Sequence, residues 1–276
     1  MNKIKIIFKT KRPIIGVIHL MPLLGYKTYR GLDEIFNAAL QDLKALESGG
    51  VDGIIVENNY DVPHKIFVDP ETIVCMTYLT TEIVKRTKLP VGISVLWNDY
   101  KAALSIAKIS GGKFIRIPVF VDDVNTQYGN VFGEANKVIE YKNKIKAKGI
   151  LLFTDIHVKH AKILSKYSLK DSAKKAVQEG SDGIIITGKW TGNAPKLDDL
   201  ALVRRTVGLF PIFVGSGADL KNIKDLTSYA DGVIVSTSFK TGKNNMKNVN
   251  IRGEEERIDR EKVIKFVREF IKAINL

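Results

Sequence analysis

The chain has 276 residues, 45% hydrophobic and 26% charged, with a formal net charge of +13. That length and balance suit a globular chain with one large core, and no apolar run approaches the roughly 20 residues needed to cross a membrane. The single cysteine, Cys75, excludes an internal disulfide and points to a reducing cytoplasm; beside Met76 on a helix it reads as core filler.

The N-terminal stretch MNKIKIIFKTKRP is basic, and its apolar run is too short for a signal-peptide core, so it is expected to cap the fold. Short β-branched or apolar runs then recur at 13–20, 53–58, 90–96, 114–120, 149–156, 183–188, 211–217 and 232–238. They are nearly continuous and do not alternate, as expected of strands buried on both faces. Helical periodicity fills 32–50, 70–87, 99–112, 169–180, 197–208, 219–230 and 259–276, with several segments closing on Gly.

Three boundaries repeat one phrase: SGGVDGIIVEN (48–58), QEGSDGIIITG (178–188) and SYADGVIVSTS (228–238). Each is a helix end, a turn of small or acidic residues, and a strand that stops at polar groups. Eight strands alternating with helices predict a parallel sheet closed into a single (β/α)₈ TIM barrel over 1–276. An open doubly wound sheet would carry a GxGxxG after its first strand, where this chain has His-Leu-Met-Pro. The longest loops are 21–31, 57–69, 120–132 and 240–258, the last polar enough to be a mobile lid or a disordered segment.

Such a barrel collects its chemistry at the C-terminal strand ends. The last two strands end in Gly215-Ser216-Gly217 and Ser236-Thr237-Ser238, small residues and hydroxyls suited to a phosphate group. Thr187 and Gly188 end the sixth strand and either bind an anion or shape the turn. The fifth ends in Asp155-Ile156-His157-Val158-Lys159-His160. Period-two geometry puts Asp155 and His157 on one face with Lys159 in line, so that Asp155 would orient the His157 imidazole for general acid/base work. The same pair, with His160 or Glu57, would suit a divalent metal, although no cofactor is required by the sequence. A purely structural ion pair at the barrel mouth is the alternative. Other rim candidates are His19, Glu57, Asn58 and Asn98, while Asp99 reads as a helix N-cap. Arg116 lies within the fourth strand; facing the interior, it would need Glu57, Asp155 or a substrate anion as partner. The lysines of 142–148 and 171–180 read as solvated helix faces. Without an aromatic-interleaved basic patch or a zinc, helix-turn-helix or RNA-binding signature, the charge favours a phosphorylated small molecule over nucleic acid.

Several stretches resemble the BtpA family along nearly the full length: GVIHLMPLLG (16–25), GGVDGIIVENNYDVP (49–63), LPVGISVLWND (89–99) and FTDIHVKHA (153–161). So do ITGKWTG (186–192), FVGSGADLKNI (213–223) and ADGVIVSTSFK (230–240). The resemblance implies a TIM barrel related to ribulose-phosphate-binding barrels, some members being labelled phosphoribosylanthranilate isomerase-like. It also implies a link, in cyanobacterial members, to photosystem I accumulation at the membrane periphery, and in bacterial ones to sugar-utilisation genes. Asp155, His157, Lys159 and His160 match the family's most distinctive stretch. The chain departs from the pattern at Trp97, where the family has Arg, at Leu24, where it has Pro, and in a longer polar insertion after Lys240.

The expected function is an enzyme acting on a phosphorylated sugar or phosphoribosyl compound, of isomerase, epimerase or lyase type. His157, Asp155, Lys159 and Glu57 would be catalytic, with Lys159 stabilising charge or forming a Schiff base. Gly188, Gly215, Ser216, Gly217, Ser236, Thr237 and Ser238 would hold the phosphate. The competing expectation is a non-catalytic assembly factor in peripheral contact with a membrane; self-association suits either.

Overall fold

A computed structural model describes residues 3–242 and 256–275. In chain order its first half runs α1 (Lys3–Phe8), β1 (Ile14–His19), α2 (Leu32–Gly49), β2 (Gly53–Glu57), α3 (Pro70–Val84), β3 (Val91–Ser94), α4 (Tyr100–Ser110), β4 (Phe114–Ile117), β5 (Val124–Thr126) and β6 (Gly129–Val131). The second half runs α5 (Ala135–Lys144), β7 (Leu151–Ile156), β8 (Ala161–Ile163), α6 (Leu169–Gln178), β9 (Gly183–Ile186), α7 (Leu197–Val207), β10 (Ile212–Val214), α8 (Ile223–Thr227), β11 (Gly232–Val235) and α9 (Arg260–Ile274). Eight parallel strands close into the expected barrel in the order β1-β11-β10-β9-β7-β4-β3-β2. No helix among the described residues is long and apolar enough to cross a membrane.

The repeated phrase has a specific physical basis. The Asp52 amide donates to the Ile14 carbonyl at 2.8 Å, and the Ile14 amide donates back to Asp52 Oδ2 at 2.8 Å. Asp182 makes the same exchange with Leu152 at 2.8 and 3.0 Å, and Asp231 with Ile212 at 2.7 and 2.9 Å. Each aspartate thus bonds the amide at the start of the neighbouring strand, a donor that the ladder leaves open. The glycine that follows answers a steric demand inside the barrel. A Cβ at Gly53 would stand 2.6 Å from the Phe8 ring, and one at Gly232 would stand 2.7 Å from Phe213.

Those rings belong to an interior cluster in which Phe114, Phe153 and Phe213 are fully buried. Phe153 lies 4.9 Å from Phe114 and 4.7 Å from Phe213, ring centre to ring centre. The N-terminal cap is α1, whose Ile4 and Phe8 close the same cluster. The alternate strand residues, among them Ile54, Val56, Ile184 and Ile186, pack outward against the helices. Burial on both faces explains the unbroken apolar runs.

Two loops carry structure where none was predicted. β5, β6 and β8 form a three-stranded antiparallel sheet that joins the segment after β4 to the one after β7. At the far end of the chain, Lys240 bridges Ile258 and the Thr241 amide donates to the Arg257 carbonyl at 3.0 Å. Asp42 anchors this bridge by accepting from the Ile258 amide at 2.8 Å and pairing with Arg257 at 3.2 Å. Of the segment 240–258 expected as a lid or disordered loop, residues 243–255 lie outside the described residues.

Candidate active site

The C-terminal mouth holds a cleft, partly open to solvent, whose lining includes His19, Glu57, Arg116, Lys159, Gly215–Ala218 and Ser236–Ser238. Alternation places these side chains: in β1, Ile15 and Val17 face the interior cluster and His19 follows in phase, as Glu57 follows Ile55 in β2.

Arg116 and Asp155 form a buried fork at the cleft floor, Nε to Oδ1 at 2.9 Å and Nη2 to Oδ2 at 2.7 Å. Burial disfavours the guanidinium charge, but Asp155 outweighs it and drives the Arg116 pKa upward. Of the partners open to Arg116 in the sequence, Asp155 is the one it takes. Asp155 therefore does not orient His157.

His157 is a correction in its own right. Its φ is 47°, which breaks the period-two alternation and turns the ring out to the Tyr167 carbonyl, 3.3 Å from Nε2. His160 has φ 61°, and its Nε2 meets Thr191 Oγ1 at 2.8 Å beside the Trp190 ring. A left-handed backbone costs a non-glycine residue roughly 1–2 kcal/mol, and here it leaves Lys159, between the two, directed into the cleft. The Lys159 amide is held by Thr187 Oγ1 at 3.0 Å. With Asp155, His157 and His160 pointing apart, the metal set drawn from the sequence does not assemble; no cluster of three or more His, Cys, Asp or Glu among the described residues is placed to share an ion.

The groups that do assemble include one missed in the sequence. His19 Nε2 lies 3.3 Å from Glu57 Oε1, and Lys240 Nζ lies 3.1 Å from His19 Nδ1 and 2.6 Å from the Tyr60 hydroxyl. Burial first, then the charge of Lys240, lowers the His19 pKa to about 4, so the imidazole is neutral at pH 7. Its partners fix the tautomer: Nε2–H donates to the Glu57 carboxylate and Nδ1 accepts from the Lys240 ammonium. Burial raises the Glu57 pKa, but its hydrogen bond to His19 and the His19 and Arg116 charges overcome this and hold it at about 2. Lys240 falls to about 8 through burial. Lys159 also falls to about 8, through burial and then the neighbouring Arg116 charge. Its Nζ has no hydrogen-bond or ion-pair partner among the described residues. Arg116, Lys159 and Lys240 against Glu57 and Asp155 leave this group of five side chains net positive at pH 7.

The wall formed by the ends of β10 and β11 consists of small residues, backbone amides and hydroxyls that line the cleft. Gly217 has φ 67°, and a side chain there would collide with the backbone of Asn193 and Ala194. The amides of Gly217, Ala218, Thr237 and Ser238 have no protein acceptor among the described residues. Ser236 Oγ is buried and without a hydrogen-bond partner among the described residues. The other hydroxyls shape the wall: Ser216 Oγ accepts from the Gly188 amide at 2.9 Å and donates to the Asn193 carbonyl at 2.7 Å, and Ser238 Oγ donates to the Ala218 carbonyl at 2.6 Å.

Two rim candidates are structural latches outside the cleft. Asn58 accepts from the Leu96 amide at 2.7 Å and donates to Asp61 at 3.1 Å. Asn98 exchanges bonds with the amide and carbonyl of Val119 at 2.8 and 3.0 Å. Asp99 caps α4 by accepting from the Ala102 amide at 2.9 Å.

The model of the BtpA family matches residues 10–272. The chain is similar to the photosystem I biogenesis protein BtpA of Synechocystis, 40% identical over 236 residues that cover 84% of this chain and 82% of that one. Among solved structures it is similar to the N-(5'-phosphoribosyl)anthranilate isomerase of Pyrococcus furiosus, at 14% identity and TM-score 0.55, covering 95% of this chain and all of that one (100%). It is also similar to GGGPS of Thermoplasma volcanium, at 15% identity and TM-score 0.56, covering 99% and 98%. At those identities the structural likeness speaks for the barrel alone.

Proposed function

The chain belongs to the BtpA family, and from that premise we propose that it is an enzyme acting on a phosphorylated sugar or phosphoribosyl compound by acid/base chemistry. The observation that carries this reading is the β10–β11 wall, where four amides and the buried Ser236 hydroxyl lack a hydrogen-bond partner among the described residues. A buried polar group without a partner is costly, and a phosphate oxygen would satisfy it. The phosphate would leave the rest of the substrate over His19, Glu57 and Lys159. Lys159, titrating near 8, is poised to exchange a proton close to neutral pH. The neutral His19, held between Glu57 and Lys240, would offer hydrogen bonds to a substrate oxygen. His157 has no part in this assignment. Isomerisation, epimerisation and lyase-type cleavage draw on the same groups.

The test is a thermal-shift screen with phosphorylated sugars against their unphosphorylated parents. Phosphorylated compounds raise the melting temperature of the native protein, and Ser236→Asp, which puts a negative charge in the wall, abolishes the shift while keeping the fold. Absence of any phosphate-dependent shift would favour the second reading, a non-catalytic assembly factor that contacts a membrane surface. The name of the Synechocystis relative and the net charge of +13 support that alternative.

A further inference from the structure

We propose that Lys159 reacts covalently, so that the substrate is a phosphorylated carbonyl compound held as a Schiff base; this rests on the phosphate reading above. Two buried lysines near the mouth are candidates for such a role, Lys159 lining the cleft and Lys240 touching its lining residue His19, and geometry separates them. Lys240 Nζ is already engaged by His19 Nδ1 at 3.1 Å and the Tyr60 hydroxyl at 2.6 Å, and it lies over the Tyr60 ring. Lys159 Nζ has no such partner among the described residues, yet its main chain is fixed. Its amide is bound to Thr187 Oγ1 at 3.0 Å, and residues 157 and 160 on either side adopt left-handed φ of 47° and 61°. Both flanking imidazoles are engaged elsewhere, by Tyr167 and Thr191, while the lysine lines the same cleft as the β10–β11 wall. A lysine kept only for charge would be expected to pair with Glu57 or Asp155; these are committed to His19 and Arg116.

The chemistry balances without an outside reagent. The free amine attacks the carbonyl carbon, a C–N bond forms, and the C=O π electrons move to oxygen. Two protons originally on nitrogen pass to that oxygen, which leaves as water. Summed from the ammonium form, ammonium plus carbonyl gives protonated imine plus water. With Lys159 titrating near 8, roughly a tenth of it is free amine at pH 7. The imine then withdraws electrons from a neighbouring C–H or C–C bond, which narrows the reaction to those that begin at a ketone or aldehyde.

The protein is incubated with dihydroxyacetone phosphate or ribose 5-phosphate, each beside its unphosphorylated parent, then reduced with borohydride and mapped by peptide mass spectrometry. The expected result is one adduct, the probe less one oxygen atom, on Lys159 and only with a phosphorylated probe. Lys159→Arg and Lys159→Met lose it, while Lys148→Met, at an exposed lysine that does not line the cleft, keeps Lys159 modifiable; circular dichroism verifies that each variant is folded. Thermal stabilisation by the phosphorylated probes with no Lys159 adduct would overturn covalent catalysis and leave the phosphate reading intact. An adduct formed equally with the unphosphorylated parents would keep the Schiff base and overturn the phosphate reading. Labelling of Lys159 no greater than that of surface lysines overturns the proposal.

Discussion

The Arg116–Asp155 fork gives the sharpest energetic test of the assigned geometry. Both side chains are buried, at 8% and 1% exposure, and are joined by hydrogen bonds of 2.9 and 2.7 Å. Arg116→Met keeps most of the side-chain length and removes every donor, leaving the Asp155 carboxylate desolvated without its partner. Breaking one side of a buried pair costs about 3–5 kcal/mol, because the remaining charge is uncompensated. For a chain near this size, each kcal/mol shifts the midpoint by about 2–3 °C, so the variant should melt roughly 6–15 °C lower. Replacing both, Arg116→Met with Asp155→Leu, removes the stranded charge and should recover most of that loss. Calorimetry or circular dichroism of the four proteins closes the cycle. A single-variant cost below about 1 kcal/mol, or a double variant as unstable as the single, would refute a desolvated fork. Arg116 would then be free to bind a substrate anion, as the sequence left open.

Three further expectations rest on other parts of the molecule. Affinity for sulfate, which itself does not titrate in this range, should fall as pH rises through about 8, where Lys159 and Lys240 lose their charge; Lys159→Met should flatten that fall, and an unchanged profile would remove Lys159 from the anion site. The sign for stability is opposite. Both lysines bind fewer protons folded than unfolded between about 8 and 10.5, so their contribution to stability grows with pH across that window. Gly232→Ala should cost about 1–3 kcal/mol by overpacking, since its Cβ would stand 2.7 Å from the Phe213 ring and 2.8 Å from the Pro13 carbonyl. Gly149→Ala, with nothing within 4 Å, is the control. Equal melting temperatures for the two would show that the interior yields.

The barrel was legible because its strands are buried on both faces, so each appears as an unbroken apolar run in a regular alternation with helices. The small sheet was not. VNT, GNV and AKI are too short and too mixed to show a period, and only their pairing across the barrel mouth makes them strands. The site was legible in part for a related reason. Extended alternation locates Glu57, Asp155 and His19 well, because they continue regular strands. It misplaces His157, because nothing in Ile-His-Val announces a left-handed backbone, which histidine adopts only when the surrounding structure imposes it. Lys240 escaped for a different reason. Its partner His19 lies 221 positions away, and the closure of β1 on β11 is what brings the two together.

The repeated phrase divides its labour between its two ends. At its start, Asp52, Asp182 and Asp231 make one bonding pattern three times over, and the glycines that follow make room for aromatic rings inside the barrel. Those positions are set by the barrel, whatever reaction it hosts. At its end the ladder makes no such demand, and the copies diverge. Glu57 holds the His19 imidazole, Thr187 holds the Lys159 main chain, and Ser236 places a buried hydroxyl in the β10–β11 wall. The middle copy, undecided between anion binding and turn formation in the sequence, thereby acquires a third role, as the support of the lysine. A change at the Asp-Gly start should therefore register as lost stability, and a change at the polar end as altered binding or reactivity. That separation is why one repeated unit could build the scaffold three times while supplying three different pieces of one candidate site.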